Sequence, residues 1–263
     1  MIVAKIGGSI ADVDPVLRDV AACSAPMVIV HGASRELNTL STQLGRSPQM
    51  VQSERGEVSR YTDRATMDDF LMAYAGKANK RIVERLLQLS VPAIGLTGLD
   101  GGMVRGRRRA NLRIHDGGRV RVLHDNHVGS IDHVDATLLR HVIDAGYTPV
   151  LCPPIAAEDG TAINVDGDRL ASAVAVALRA SHLIILSDTP GLLRDVDDER
   201  TMIRNIAIED IETALVSVAG RARTKLRAAA TARQSGVGTV AIADGRIEQP
   251  ITVALAGGGS RVA

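Results

Sequence analysis

Short apolar runs alternate with longer amphipathic stretches along the whole chain. The runs are continuous, which is typical of strands buried on both faces of a parallel sheet. They cover Ile2–Ile6, Met27–His31 and residues 93–97, 149–152, 183–187 and 238–243. Between them, apolar residues recur every three or four positions, which predicts helices. The helical stretches are Asp14–Ala22 and residues 35–44, 64–89, 135–145, 168–179 and 221–235. The pattern predicts a three-layer α/β/α sandwich around a mainly parallel central sheet.

Residues 101–133 break this alternation. They are rich in Gly, Arg and His, and apolar and polar positions alternate over 104–112 and 119–123, on either side of Asp116-Gly117-Gly118. An Asp-Gly turn between two alternating segments is a strong signal for a β-hairpin. We therefore expect a β-hairpin that protrudes from the sheet.

The length, composition and net charge of the chain exclude several classes of protein. A chain of 263 residues with 45% hydrophobic content suits one large α/β domain or two closely packed lobes. The net charge of +1 gives no support to a polyanion-coating role, and an aromatic content of 2% removes the stacking platforms that single-stranded nucleic acid needs. We expect no nucleic-acid partner. No apolar run reaches the roughly 18 residues that span a bilayer, and no signal-peptide pattern is present, so we expect a cytoplasmic protein without a membrane partner.

A structural metal site is not expected. The two cysteines, Cys23 and Cys152, form no Cys-x-x-Cys pair. Four histidines fall close together at positions 115, 124, 127 and 133, but none stands at the usual zinc-ligand spacing.

Three predicted strands run directly into turns that contain glycine. The turns are Lys5-Ile6-Gly7-Gly8-Ser9, His31-Gly32-Ala33-Ser34 and Ser187-Asp188-Thr189-Pro190-Gly191. Each alone is consistent with an ordinary tight turn. In open α/β sheets, however, ligands bind at the carboxyl ends of the strands, and backbone amides beside a lysine suit a phosphate. The chain carries neither a Walker-A loop nor a Gly-x-Gly-x-x-Gly fingerprint.

Two further segments carry charge at the predicted start of a helix. Asn164-Val165-Asp166-Gly167-Asp168 precedes one helix, and its simplest interpretation is an N-terminal cap, although two acids and an Asn exceed what one cap requires. Lys225 lies in the first turns of another, after Gly220. A solvated basic face and a phosphate-binding cation are both open for that lysine.

The ordered set of motifs resembles the amino acid kinase family over essentially the whole chain. The motifs are Lys-x-Gly-Gly-Ser at 5–9, His-Gly at 31–32, Ser-Arg-Tyr-Thr-Asp at 59–63, Ala-Gly-Lys-x-Asn-Lys at 75–80, Asn-x-Asp-Gly-Asp at 164–168, Leu-Ser-Asp-Thr-Pro-Gly at 186–191 and Gly-x-x-x-x-Lys at 220–225. Within the family they are most similar to the acetylglutamate kinase branch. The resemblance is greatest to kinases whose glutamate or aminoadipate substrate is joined to a small acidic carrier protein.

This resemblance implies transfer of the γ-phosphoryl group of ATP to a side-chain carboxylate, which gives an acyl phosphate. A carboxylate is already ionised at neutral pH, so such a reaction needs no general base. Mg²⁺ would enter with ATP and need few protein ligands. The resemblance also implies an acyl-acceptor lobe with the dimer interface in residues 1–178 and a nucleotide-binding lobe in residues 179–263.

The family motifs assign roles to individual residues. Lys5 would hold the transferred phosphoryl group and Lys225 the phosphates on the leaving side, and Asp168 would hold both ammonium groups. Nucleotide and phosphate contacts are implied for Gly7, Gly8, Ser9, Gly32, Ser187, Asp188 and Gly191. Acceptor contacts are implied for Gly32, Ala33, Arg60 and Asn164.

The motifs do not identify the molecule that accepts the phosphoryl group. The branch usually has three glycines after the histidine, whereas Ala33 and Ser34 stand here, which puts a fit to an N-acetyl group in doubt. A run of arginines in the expected hairpin, at 105, 107, 108 and 109, would suit an acidic carrier protein, and a solvated loop is its plain alternative. The contact residues implied are Arg105, Arg107, Arg108 and Arg109. Free N-acetylglutamate as substrate, or a non-catalytic sensor on this fold, are the alternatives.

Partners follow from the same resemblance. An acyl-phosphate reductase is expected to consume the product. The first strand begins at Ile2, which leaves no room for the N-terminal helix of arginine-inhibited hexameric relatives, so a homodimer without that feedback is expected.

Overall fold

A mainly parallel sheet forms the centre of the protein in this computed structural model, which describes residues 1–52, 58–116 and 119–263. The strands are β1 (Ile2–Ile6), β2 (Met27–His31), β3 (Met50–Gln52), β4 (Val58–Arg60), β5 (Ala93–Gly98), β6 (Val104–Arg108), β7 (Leu112–Asp116), β8 (Arg119–Leu123), β9 (Gly129–Val134), β10 (Thr148–Ala156), β11 (Ala162–Ile163), β12 (His182–Ser187), β13 (Asn205–Ile206), β14 (Thr239–Asp244) and β15 (Ser260–Val262). The central sheet has the order β13-β15-β14-β12-β1-β2-β10-β6-β9, and β5 and β11 also pair with β10.

Helices cover this sheet. They are α1 (Asp14–Ala22), α2 (Ser34–Gln43), α3 (Arg64–Leu71), α4 (Asn79–Gln88), α5 (Thr137–Asp144), α6 (Gly167–Leu178), α7 (Ile211–Ser217), α8 (Gly220–Gln234) and α9 (Pro250–Leu255). A π-helical segment, Met72–Ala78, joins α3 to α4, so the single helix predicted over 64–89 is interrupted. A period of three to four residues cannot reveal one wider turn, because the apolar pattern on either side stays helical.

The side-chain alternation of β1 decides where its lysine points. Ile2, Ala4 and Ile6 pack into the apolar cluster that includes α1, whereas Val3 packs into the cluster that includes α6 and α8. Successive side chains of a strand point to opposite faces, so Lys5 lies on the α6 and α8 side with Val3. The latter cluster contains residues on both sides of position 178 and forms one uninterrupted core.

The register of the parallel strands brings the glycine turns to one edge. Ile6 of β1 lies opposite His31 of β2 and Leu186 of β12. Because all three strands run in the same direction, the turns that follow them emerge side by side at the carboxyl edge of the sheet.

The hairpin prediction was correct in kind but wrong in its first strand. Residues 104–108 form β6, which pairs with β9 and β10 inside the central sheet, and the hairpin is β7 with β8. Gly106 explains the difference, because a Cβ there would lie 1.8 Å from Ser130 O, so this position is a close backbone approach within a sheet. Gly117 and Gly118, the expected turn, lie outside the described residues.

A second small hairpin, β3 with β4, packs against the first. Val51, Ile114 and Leu123 form the shared apolar cluster. Tyr61 Oη donates a hydrogen bond to His124 O at 2.5 Å. Because Arg60 ends β4, the two hairpins lie next to a residue expected to bind the acceptor. Across the described ranges, every helix is too short or too polar to cross a lipid bilayer.

Candidate active site

One buried carboxylate holds two lysines at the centre of the sheet edge. Lys5 Nζ lies 2.6 Å from Asp168 Oδ1, and Lys225 Nζ lies 3.2 Å from Asp168 Oδ2. The side chains of Lys5 and Asp168 are each only 7% exposed, and that of Lys225 is 15% exposed. β1, α6 and α8 supply one member each, so three motifs far apart in sequence meet in one ion cluster.

The ionisation of this cluster is set by competing effects. Burial by itself raises the pKa of Asp168, but the neighbouring Lys5 and Lys225 ammonium groups outweigh it and bring the pKa down to about 2. Burial and the Lys5 ammonium lower the pKa of Lys225, and Asp168 opposes that change. With both lysines protonated, the three groups carry a net positive charge, which suits an incoming polyanion.

The two aspartates at the start of α6, Asp166 and Asp168, have different roles. Asp166 is the N-cap residue, and its Oδ1 accepts hydrogen bonds from the backbone N–H groups of Asp168 and Arg169 at 3.0 Å each. This cap leaves the Asp168 carboxylate to the lysines. Both carboxylates of the motif are therefore accounted for, since Asp166 caps α6 and Asp168 pairs with the two lysines.

The first two glycine turns touch through their backbones. A Cβ on Gly8 would lie 2.8 Å from Ser34 N and 2.9 Å from Ala33 N, so only glycine permits this approach. Ser34 Oγ donates to Gly8 O at 3.1 Å. The Gly32 N–H donates to Ile6 O at 3.0 Å and is therefore engaged by the neighbouring strand.

Arg60 and Tyr74 lie beside the second glycine turn. The Arg60 guanidinium donates to Asn38 Oδ1 of α2, and burial lowers the pKa of Arg60. Burial raises the pKa of Tyr74 to about 12, and the nearby Ala33 N–H and Arg60 guanidinium oppose that rise. The sequence does not single out Tyr74, because an aromatic residue in an amphipathic helical stretch gives no signal beyond core packing.

Asn164 reaches the same region through its backbone. Its N–H donates to His127 O at 2.7 Å, and its carbonyl accepts from Gly129 N at 2.9 Å. The backbone N–H of His127 donates in turn to Thr62 O at 2.6 Å, two residues after Arg60. These contacts tie the segments that carry Asn164 and Arg60 into one wall. Within the described ranges, no group of three potential metal ligands is present.

The third glycine turn is held by hydroxyl groups. The buried Ser187 Oγ donates to Thr189 O at 3.3 Å, and Thr189 Oγ1 donates to Gly191 O at 2.8 Å. Gly191 is close to Ser260, since a Cβ on Gly191 would lie 2.6 Å from Ser260 Oγ. Asp188 is exposed at the rim. Ser260 was not singled out from the sequence, although the Gly257-Gly258-Gly259 run before it signals a close backbone approach.

The four arginines expected on the hairpin lie elsewhere. Arg105, Arg107 and Arg108 belong to β6 in the central sheet, and Arg109 follows it. Arg107 Nε lies 2.8 Å from Asp132 Oδ2, and Arg108 Nη2 lies 2.5 Å from Asp125 Oδ1.

A site with two lysines on one buried carboxylate, beside glycine turns at the carboxyl edge of a parallel sheet, is typical of enzymes that bind and transfer phosphoryl groups. The model of the amino acid kinase family matches residues 1–244, and the chain belongs to that family. It is therefore a phosphotransferase of the class that uses ATP and a carboxyl-type acceptor.

The named relatives match 90% to 100% of this chain. It is 45% identical to the LysW-aminoadipate kinase of Deinococcus radiodurans, over 100% of this chain and 91% of that one. It is 39% identical to the LysW-aminoadipate kinase of Thermus thermophilus, over both chains in full. The acetylglutamate kinase of Methanopyrus kandleri is 38% identical, over 90% of this chain and 92% of that one.

Solved structures show the fold. The N-acetylglutamate synthase of Neisseria gonorrhoeae superposes with a TM-score of 0.79 at 24% identity, and this chain spans 59% of its length. An isopentenyl phosphate kinase, covered in full, gives 0.66 at 18% identity, and the carbamate kinase of Giardia lamblia, covered to 97%, gives 0.66 at 16%. The predicted α/β fold with a mainly parallel sheet is confirmed.

We predict that Asp168→Asn lowers the free energy of unfolding at pH 7 by about 3 kcal/mol, because two buried ammonium groups then lose their shared counter-charge. The folded-state pKa of Asp168 lies below its usual 3.8, so the stabilisation is present above that value and is lost as the pH falls towards about 2.

Urea unfolding of both proteins between pH 7 and pH 3 measures this effect. The gap between wild type and variant should be constant down to about pH 4 and narrow below it. The exposed Asp188→Asn variant is the control and should change stability by under about 0.5 kcal/mol. A gap no larger than that of the control would contradict the prediction.

Proposed function

We propose that this protein is an ATP-dependent kinase that phosphorylates the side-chain carboxylate of aminoadipate or glutamate attached to a small acidic carrier protein of the LysW kind. The ion cluster of Lys5, Asp168 and Lys225 is the observation that carries the proposal of phosphoryl transfer. The names of the Deinococcus radiodurans and Thermus thermophilus relatives support the substrate.

The proposed reaction joins two anions, so its barrier is electrostatic and geometric. Lys5 and Lys225 would lie on the acceptor and leaving sides of the γ-phosphoryl group, where they neutralise its developing charge. Asp168 keeps the two ammonium groups at a fixed separation and takes no proton. The carboxylate oxygen of the acceptor attacks phosphorus, the bond to the ADP oxygen breaks, and the products are ADP and an acyl phosphate.

The nucleotide is assigned to the second half of the fold. We propose that residues 179–263 form the nucleotide-binding lobe and residues 1–178 the acyl-acceptor lobe. Phosphate and nucleotide contacts are assigned to Gly7, Gly8, Ser9, Gly32, Ser187, Asp188 and Gly191. Because the Gly32 N–H donates to Ile6 O, the part proposed for Gly32 is its close backbone approach to Gly8. Mg²⁺ fits as an ion carried by the ATP phosphates and water, because Asp168 is committed to the lysines and Asp166 to the cap of α6.

The acceptor is assigned to the wall formed by Arg60, Asn164 and the second glycine turn with Ala33. Arg60 is half-buried and keeps a planar donor fork beside Tyr74, which suits a carboxylate of the acceptor. A lysine at this position would keep the charge but lose the fork.

We predict that Arg60→Lys raises the KM for the acceptor about tenfold and leaves the KM for ATP within about twofold, because of the two substrates only the acceptor would contact the guanidinium fork. Steady-state assays with each substrate varied in turn measure this. Arg64→Lys, which alters an exposed ion pair with Asp68 one turn into α3, is the matched control and should change neither KM. A parallel rise in both KM values would contradict the assignment of Arg60.

The carrier protein is assigned to the basic outer surface next to Arg60. Arg107 and Arg108 form ion pairs with Asp132 and Asp125, and the exposed arginines of the β7–β8 hairpin, which lies next to Arg60, are further candidates. Arg113, Arg119 and Arg121 are exposed on the hairpin, and Arg109 is exposed just before it. The hairpin carries positive charge, and its partner hairpin β3–β4 ends at Arg60, which suits an acidic carrier that delivers its substrate to that residue.

We predict ATP-dependent formation of an acyl phosphate, trapped with hydroxylamine, from carrier-linked aminoadipate or glutamate and at most weakly from free N-acetylglutamate.

Arg119→Glu with Arg121→Glu should raise the KM for the linked substrate about tenfold at low salt, because charge reversal weakens the encounter with the acidic carrier. Arg204→Glu, at the far edge strand β13, is the control and should have no effect.

The outcomes separate the alternatives. Faster turnover of free N-acetylglutamate than of linked substrate would favour the activity named for the Methanopyrus kandleri relative. No turnover of any acceptor would favour a sensor. Equal loss on linked and free substrates in the charge-reversal variant would remove the docking role of the hairpin.

Assembly and pathway position complete the proposal. We infer a homodimer through the acyl-acceptor lobe, supported by Met72 and Leu87, which are 49% and 56% exposed on the α3–α4 segment. Sedimentation velocity would show twice the chain mass of 27.8 kDa. The product is an acyl phosphate, which hydrolyses readily, so a reductase of acyl phosphates is the class of enzyme expected to consume it.

A further inference from the structure

A buried histidine lies directly behind the second glycine turn. His31 ends β2, is 0% exposed and lies opposite Ile6 of β1. Its ring has a partner on each nitrogen: Nδ1 lies 3.3 Å from Gly32 O, and Nε2 lies 3.1 Å from Nδ2 of Asn79. Neither residue has a role in the chemistry described above, although both fall within the family motifs.

The partners fix the tautomer of the ring. Burial lowers the pKa of His31 to about 4, with a further contribution from Lys5, so the ring is neutral at pH 7. Gly32 O can only accept a hydrogen bond, so Nδ1 carries the proton and donates it there. Nε2 then accepts from the Asn79 amide.

The Asn79 amide is itself held on three sides. Its Nδ2 also donates to Val150 O at 2.9 Å, and its Oδ1 accepts from Lys80 Nζ at 3.3 Å. A Cβ on Gly95 would lie 1.8 Å from Asn79 Oδ1, so the glycine leaves the space that the amide fills. The amide cannot rotate without losing these contacts, and the His31 ring is therefore held in one orientation.

This network acts on one peptide plane. Gly32 C=O and Ala33 N–H belong to the same trans peptide unit and point in opposite directions. A carbonyl that accepts from the buried His31 ring therefore directs the Ala33 N–H away from the ring. Ala33 N lies beside the first glycine turn, since a Cβ on Gly8 would be 2.9 Å from it, at the wall assigned to the acceptor.

We propose that His31 is a positioning residue which, held by Asn79, fixes the Gly32–Ala33 peptide so that the Ala33 N–H is presented to the acceptor and the transferred phosphoryl group. The proposal rests on the proposed function for the assignment of that wall. Without the donor at Nδ1, the peptide is free to rotate, and the N–H no longer has a fixed direction.

Two substitutions of His31 separate orientation from packing. The amide nitrogen of Asn can occupy the Nδ1 position, whereas the amide of Gln reaches the Nε2 position. We expect His31→Asn to keep kcat within about threefold and His31→Gln to lower it about 10²-fold, since a preorganised donor is worth that much. Melting temperatures identify variants that are only unstable.

Binding of MgADP with and without aluminium fluoride supplies a readout that needs no acceptor. His31→Gln should bind MgADP within about twofold of wild type but lose about tenfold of the extra affinity that aluminium fluoride gives as a phosphoryl mimic. His31→Asn should keep both. Unchanged kcat in His31→Gln, or equal losses in the two variants at equal stability, would overturn the proposal.

A second variant covers the case in which His31→Gln does not fold. Asn79→Ala leaves the ring in place but removes the group that holds Nε2, and we expect a fall in kcat of about tenfold with MgADP binding unchanged. An unchanged kcat there would overturn the proposal as well. Wild-type protein that turns over no carboxylate acceptor would instead count against the proposed function, and the aluminium fluoride comparison would still test His31.

Discussion

The shared contact of Lys5 and Lys225 with Asp168 is the interaction on which the rest of the site depends. Two ammonium groups cannot be buried close together without a counter-charge, and one carboxylate compensates for only one of them. With both lysines protonated the cluster carries a net positive charge, and the charge that would attract an anion also costs the folded protein stability. Asp166 and the core around α6 supply the rigidity that holds the cluster together.

The sheet supplies the geometry that the cluster needs. Parallel strands in register place the turns after β1, β2 and β12 at one edge, and strand alternation directs Lys5 towards α6 and α8. The glycines at this edge serve close backbone approach, since Gly8 touches the turn that contains Ala33. The proposed phosphate site thus lies where three parallel strands end.

The sequence predicts the buried parallel strands well, because a short continuous apolar run that ends in a glycine turn suits few structures besides a strand covered on both faces. It fails where one feature fits two structures. Alternation at 104–108 suits a hairpin as well as a sheet strand, and only the contact of Gly106 with Ser130 decides between them. The pairing of Arg107 with Asp132, 25 residues away, has no local signal either. The ion cluster could be expected from motif order, but its burial could not.

The wider turn between α3 and α4 has a consequence for both sides of the second glycine turn. The Asn79 N–H bonds to Tyr74 O, a step of five residues in place of the usual four. Tyr74 packs in the same buried cluster as Ala33, and Asn79 holds the ring behind Gly32, so the π-helical segment sets the spacing of two residues that support this turn. A chain one residue shorter here would rotate α4 by about 100°. The length of the α3–α4 segment therefore determines how the second glycine turn, which follows β2 earlier in the chain, is supported.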